Sequence, residues 1–173
     1  RLPTNACTSW QTLAVRRWRD GGALIRHGDG LVLVCNRRRD KSLEWTPPGG
    51  VIDQDETLLA GLTREVFEET GLIVNAWSSR CYTVTVEAPE MGWRLTVEAW
   101  EADDVSGEIC IADPDGIVEE VRHSNAADAR ELLIASPPWV QLPVGAWLGG
   151  DLEPHYRFAL RGTNRATARA ERI

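Results

Sequence analysis

Long hydrophobic runs are missing from this chain. The densest apolar stretches, Ala23–Ile25 and Leu31–Cys35, fall far short of the ~18 residues a membrane-spanning helix requires, so no membrane partner is expected. No basic segment leads into an apolar stretch with a small-residue cleavage site, and the chain begins at Arg1 rather than Met. Paired cysteines are also missing: Cys7, Cys35, Cys81 and Cys110 stand 28, 46 and 29 positions apart, and His27, His123 and His155 are equally scattered. That spacing excludes a zinc cluster and reads as buried, reduced thiols in a cytoplasmic protein. Positive charge is scarce, with 19 basic against 26 acidic residues and a net charge of −7. A protein that coats a nucleic-acid backbone carries the opposite balance, so no nucleic-acid partner is expected. A site for an anionic substrate must then bring its own positive charge, and a metal ion is the direct means. Phenylalanine and tyrosine are rare, two of each, against eight tryptophans.

What remains describes one domain. At 173 residues, 43% hydrophobic and 26% charged, the chain is long enough to bury a core and too apolar to be disordered. Neither repeats nor low-complexity tracts occur. Ala23–His27 and Leu31–Cys35, joined by Gly28-Asp29-Gly30, predict a hairpin, and Asn36–Lys41, with three consecutive arginines, an exposed basic loop. Trp45-Thr46-Pro47-Pro48-Gly49-Gly50 stops any regular element. A helix is predicted over Asp53–Thr70: Asp53 with Glu56 offers a capping box, Asp55 or Thr57 an alternative cap, and Leu58, Leu62 and Val66 one buried stripe. Gly71 sits where a left-handed cap belongs. Thr83–Glu87 and Arg94–Ala99 alternate as half-buried strands do. Ile109–Ala112 and Ile117–Val121 flank the turn Asp113-Pro114-Asp115-Gly116. Ala126–Ala135 and Trp139–Leu148 predict two more helices, and Arg161–Ile173 a solvated tail. The chain is therefore mixed α and β.

The first helix carries unusual charge. Glu65, Glu68 and Glu69 project from one face, and Asp53–Glu69 holds six acidic residues and one basic, Arg64. Such a cluster is either a solvated acidic face or a site for Mg²⁺ or Mn²⁺, hard cations that seek carboxylate and carbonyl oxygens. Gly49-Gly50 can aim a carbonyl at a metal on that face. Gly61, four residues before Glu65, leaves the face bare, with room for metal or phosphate. These features favour the metal.

Gly50, Glu56 and Arg64-Glu65-Val66-Phe67-Glu68-Glu69-Thr70-Gly71-Leu72 together resemble the signature of the Nudix hydrolases, Gly-x5-Glu-x7-Arg-Glu-(aliphatic)-x-Glu-Glu-x-Gly-(aliphatic). Every defined position matches over 23 residues, and the preceding Pro48-Gly49-Gly50 also fits. The resemblance implies an α+β fold, a mixed sheet sandwiched between helices in one domain (residues 1–150), with residues 151–173 a C-terminal extension that packs partly on it. It implies that Glu65, Glu68, Glu69 and the Gly49 carbonyl bind Mg²⁺ or Mn²⁺, and that Gly50, Glu56 and Arg64 support the loop against the helix. Homodimers are common in such a family.

The implied chemistry is attack of water on phosphorus in a nucleoside diphosphate linked to another group. Such transfer needs charge neutralisation and an oriented nucleophile. Glu65 or Glu69 is the first candidate base, and Asp115, with Asp113 in reserve, a further ligand or base, set against an ordinary surface turn. Arg37 and Arg39, or Arg38 between them, are candidate phosphate contacts, and Trp45 a candidate base-stacking ring. Relatives acting on ADP-ribose carry a proline about 16 residues past the signature; here Pro89 lies 17 past Leu72. Glu90 and Met91 occupy the region where dinucleoside-polyphosphate relatives show tyrosine, and His123 the place of a common tryptophan. An ADP-ribose-like compound or another nucleoside diphosphate sugar is the leading expectation for the small-molecule nucleotide substrate. The alternatives are a nucleoside triphosphate pyrophosphohydrolase that removes modified nucleotides, and a non-catalytic nucleotide-sensing module.

Overall fold

The structure is a computed structural model that describes residues 15–164 and 167–173; Cys7 and Arg165 lie outside them. In chain order the strands are β1 (Arg16–Leu24), β2 (Arg26–His27), β3 (Gly30–Arg37) and β4 (Leu43–Thr46), then helix α1 (Leu58–Thr70), β5 (Ile73–Ala88), β6 (Trp93–Ser106) and β7 (Val118–Ser124). Helices α2 (Ala126–Leu132) and α3 (Pro138–Gly149) follow, then β8 (His155–Arg161) and β9 (Arg169–Arg172). The larger sheet has the order β1-β6-β5-β8-β9, with β1 parallel to β6, β8 parallel to β5, and the other pairs antiparallel. In the smaller sheet, β3 pairs with β2, β4 and β7, all antiparallel.

Register decides which side chains meet. Trp18, Asp20 and Gly22 of β1 stand opposite Leu95, Val97 and Ala99 of β6, and Val97 and Ala99 stand opposite Val84 and Tyr82 of β5. Side chains alternate across a strand, so these residues share one face of the larger sheet. Gly21 lies on the other face, where an added Cβ would come 3.1 Å from the Leu62 side chain of α1. One core packs Leu58, Leu62 and Val66 of α1 against Ala23, Ile25, Ile52 and Val74. The other joins Tyr82, Val84, Val86 and Phe158 to Ala129, Leu133, Val144 and Trp147 of the later helices.

Several sequence expectations change. Helix α1 begins at Leu58, not Asp53, because Thr57 takes the cap and accepts from Ala60 N–H at 3.3 Å. The Glu56 carboxylate accepts from Asp53 N–H at 3.0 Å, but residues 53–56 form a turn ahead of the helix. Gly71 closes α1 in the left-handed region, φ 75°. Asn36 belongs to β3 and is buried, not part of a basic loop. Ile109–Ala112, ahead of the turn at 113–116, is irregular: Cys110 N–H and Ala112 N–H donate to Thr70 and Glu68 carbonyls at 2.8 and 3.0 Å, satisfying orphan acceptors at the end of α1. Residues 169–172 are not solvated tail but strand β9, and β8 lies inside the larger sheet between β5 and β9. Among the described cysteines, all free, Cys35 is buried and Cys110 is exposed rather than buried.

Candidate active site

The segment before α1 is pinned to β1. Gly21 N–H donates to Gly50 O at 2.9 Å and Ala23 N–H to Pro48 O at 2.8 Å, which leaves the Gly49 carbonyl, between them, for another partner. Gly49 has φ 143°, and a Cβ there would fall 2.1 Å from Gly21 O, so only glycine fits. A Cβ on Gly50 would fall 2.7 Å from Glu65 Oε2; the bare backbone lets α1 approach.

From α1, Glu69 is buried and accepts from Gly49 N–H at 2.8 Å. Burial pushes its carboxyl up to about 8; the Gly49 bond opposes this, while the charges of Glu65 and Asp113 add to it. Burial also raises Glu65, partly offset by its hydrogen bond from Arg64. Arg64 is the hub of the acidic cluster: it donates to Glu56 at 2.7 Å, Glu65 at 2.8 Å and Glu68 at 3.1 Å. The first bond ties the turn at 53–56 to the helix. Gly61 makes room for that carboxylate rather than for a metal or phosphate, since a Cβ there would fall within 2.7 Å of the Glu56 carboxyl carbon.

Beside these groups opens a cavity of about 570 Å³ between the two sheets. Glu65, Glu69, Gly49, Gly50, Asp113 and Asp115 line it, and Tyr82, Trp93, Leu95, Trp139 and Val144 are among its largely apolar walls. The loop after β6, docked on the end of α1, brings in the two aspartates. Asp113 is spent on its own turn, accepting from the N–H groups of Asp115, Ile117 and Val118 at 2.9, 2.7 and 2.9 Å. The Asp115 carboxylate makes no such bonds, and its charge raises Glu65. Glu68 does not line the cavity; it turns to Arg64.

The parity of β3 and β4 sorts the remaining candidates. Asn36 pairs with Glu44 and Val34 with Thr46, so Asn36, Glu44 and Thr46 share a face and line the cavity with Arg38. Arg38 Nε donates to Glu44 at 2.5 Å. Trp45 pairs with Cys35 on the opposite face, under the Arg122 guanidinium at 4.9 Å and against the second core. Trp45 is not among the residues that line the cavity, where base stacking was expected of it. The rings that line the cavity are Trp18, Tyr82, Trp93 and Trp139. Arg37 pairs with Glu119 at 2.7 Å and Arg39 is exposed; neither lines the cavity, and of the three arginines Arg38 does. Pro89 opens the turn between β5 and β6, and His123 packs against His27 at 4.3 Å with the rings tilted; neither lines the cavity.

Sequence reading missed Asp20. It stands on the cavity face of β1, its Oδ1 is buried without a hydrogen-bond partner, and burial with the nearby Glu65 charge raises it to about 6. A parallel strand register is its only signal, and no local pattern announces one. Among the described residues, no three carboxylate, imidazole or thiol groups converge as a finished metal cage. The donor set nonetheless fits a hard divalent cation: carboxyl groups of Asp20, Glu65, Glu69, Asp113 and Asp115 line the cavity, whose one arginine, Arg38, is paired with Glu44, and carboxyl oxygens so crowded call for added positive charge.

A family model for the NUDIX domain matches residues 16–140. The chain belongs to the NUDIX family. Enzymes of this family hydrolyse nucleoside diphosphate derivatives and generally need a divalent metal ion. Human m7GpppN-mRNA hydrolase NUDT17 is 32% identical over 79 residues, 42% of this chain and 24% of that protein. A MutT-like protein of Streptomyces ambofaciens is 47% identical over 53 residues, 31% of this chain and 32% of that one. The matched region thus spans a quarter to a third of these relatives. The MutT protein of Bacillus halodurans superposes with a TM-score of 0.66 at 19% identity, over 89% of this chain and 97% of its own. An ADP compounds hydrolase does so with a TM-score of 0.57 at 19% identity, over 77% and 74%. At that identity the likeness is one of NUDIX fold, a single mixed α+β domain. No helix among the described residues is long and apolar enough to cross a membrane.

Proposed function

We propose that this NUDIX protein is a divalent-metal-dependent hydrolase that cleaves the diphosphate linkage of an ADP-ribose-like compound or another nucleoside diphosphate sugar. The observation that carries the reading is one cavity lined both by Glu65, Glu69, Gly49 and Asp115 and by tryptophans and other apolar side chains. Glu65, Glu68, Glu69 and the Gly49 carbonyl would hold Mg²⁺ or Mn²⁺, with Arg64 yielding Glu65 and Glu68. The ion supplies neutralisation of phosphate charge and a more acidic water. The Asp115 carboxylate, which accepts no backbone N–H, takes the proton of the attacking water. Arg38, steadied by Glu44, contacts the phosphates, and the aromatic walls hold the nucleoside. Gly50, Glu56 and Arg64 keep the loop in register with the helix.

The test is a panel of nucleoside diphosphate sugars, dinucleoside polyphosphates and nucleoside triphosphates with Mg²⁺ or Mn²⁺. A nucleoside monophosphate plus a sugar phosphate is the expected product; monophosphate plus pyrophosphate would move the protein to the triphosphate class. Glu68→Gln and Glu69→Gln should each lower turnover by orders of magnitude while circular dichroism stays unchanged. Near-normal turnover in either variant would overturn the ligand assignment. Binding of the panel with no turnover by the unmodified protein would point to a sensing module instead.

A further inference from the structure

One polar side chain in the cavity has no part in the chemistry above. Asn36 is only 5% exposed. Its Nδ2 donates to Thr46 Oγ1 at 3.3 Å, and its Oδ1 is buried with no hydrogen-bond partner. Both residues line the cavity, on the shared face of β3 and β4. A buried amide oxygen without a partner is held at a cost in free energy, and because it only accepts, it calls for a donor. Ionised phosphate oxygens offer none, so the diphosphate cannot satisfy it. Glu44 beside it is already engaged by Arg38. The same cavity presents Trp93 and Trp139, apolar rings suited to a flat aromatic group. A flat ring with an N–H on its edge answers both features.

We propose that Asn36 is a specificity residue that accepts a hydrogen bond from the exocyclic amine of a nucleobase, so that the site selects adenine, cytosine or guanine over bases lacking that amine. With Nδ2 donating to the Thr46 hydroxyl, the amide oxygen is left free. A base carbonyl in the amine's place would set two acceptors against each other, and a hydrogen atom would leave Oδ1 unpaired. This inference rests on the cavity being a nucleotide site.

The test measures Kd without metal and kcat/KM with Mg²⁺ for matched pairs: ADP-ribose and IDP-ribose, CDP-glucose and UDP-glucose, GDP-mannose and IDP-mannose. In at least one pair the amine-bearing member should be favoured by about 10- to 100-fold. Asn36→Leu should bring that ratio to near unity, and Thr46→Val, by freeing the amide to rotate, should reduce it. Should Asn36→Leu not fold, the unmodified protein and Thr46→Val still decide. Equal affinity within every pair, no binding of any pair, or an unchanged ratio in folded Asn36→Leu would overturn the proposal. Amine-selective binding without hydrolysis would uphold the recognition and remove the hydrolase reading; hydrolysis without amine preference would do the reverse.

Discussion

The two residues that distinguish this site most sharply are carboxyl groups held away from water. Glu69 is 6% exposed, and burial lifts its carboxyl from 4.5 to about 8. The unfolded chain therefore releases this proton at lower pH than the folded one. The stability that comes from keeping it protonated is complete below about pH 4.5 and is lost as pH rises toward 8. Asp20, lifted from 3.8 to about 6, adds to the loss at the acidic end of that window. Metal-free protein should show a falling Tm from pH 5 to 8, by on the order of a few kcal/mol in stability, and Glu69→Gln should flatten the slope in parallel melts. A second prediction separates the arginines. Arg38→Ala should raise KM for the substrate identified by the panel about tenfold or more, through loss of a charge-assisted contact. Arg37→Ala and Arg39→Ala should change it by less than about twofold, as steady-state kinetics would show.

At the scale of single elements, the site is a loop clamped between a strand and a helix. The glycines at 49 and 50 are needed because β1 and α1 both approach the backbone there. Gly49→Ala places a methyl 2.1 Å from Gly21 O on a backbone conformation that L residues rarely adopt. It should lower the thermal midpoint by several degrees and abolish turnover together. Thr57→Ala removes the cap of α1 at a cost of about 1 kcal/mol, and should leave turnover nearly intact, because Arg64 still ties Glu56 to the helix at 2.7 Å. Helix α1 was legible because period and cap are local: Leu58, Leu62 and Val66 form its buried stripe as their spacing requires. Its start was misplaced because Glu56 bonds both Asp53 N–H and Arg64, so a capping pattern serves a loop clamp.

For the whole molecule, the larger sheet is completed from the end of the chain. Strand β8 pairs with the middle of the sheet at β5, and Tyr156, Phe158 and Leu160 enter the core. Each such buried side chain contributes about 1.5–3 kcal/mol, against a net stability of roughly 5–15 kcal/mol for a domain. A chain ending at Gly150 should therefore be insoluble or unfolded by circular dichroism, and a cooperative melt from that fragment would show that β8 is dispensable. By itself the sequence determined the family, the mixed α and β class, the acidic face of α1 and the glycine-shaped loop before it, because helical spacing and backbone permissiveness are properties of neighbours in the chain. Tertiary structure alone decided that Arg38 rather than Arg37 or Arg39 lines the cavity, that Trp45 faces away, and that Asp20 and Asn36 look in. For Asp20, Asn36 and Trp45 the outcome depends on strand register, and a shift of one residue would send each to the opposite face; Arg38 lies past the end of β3, where the chain turns and tertiary contacts place it.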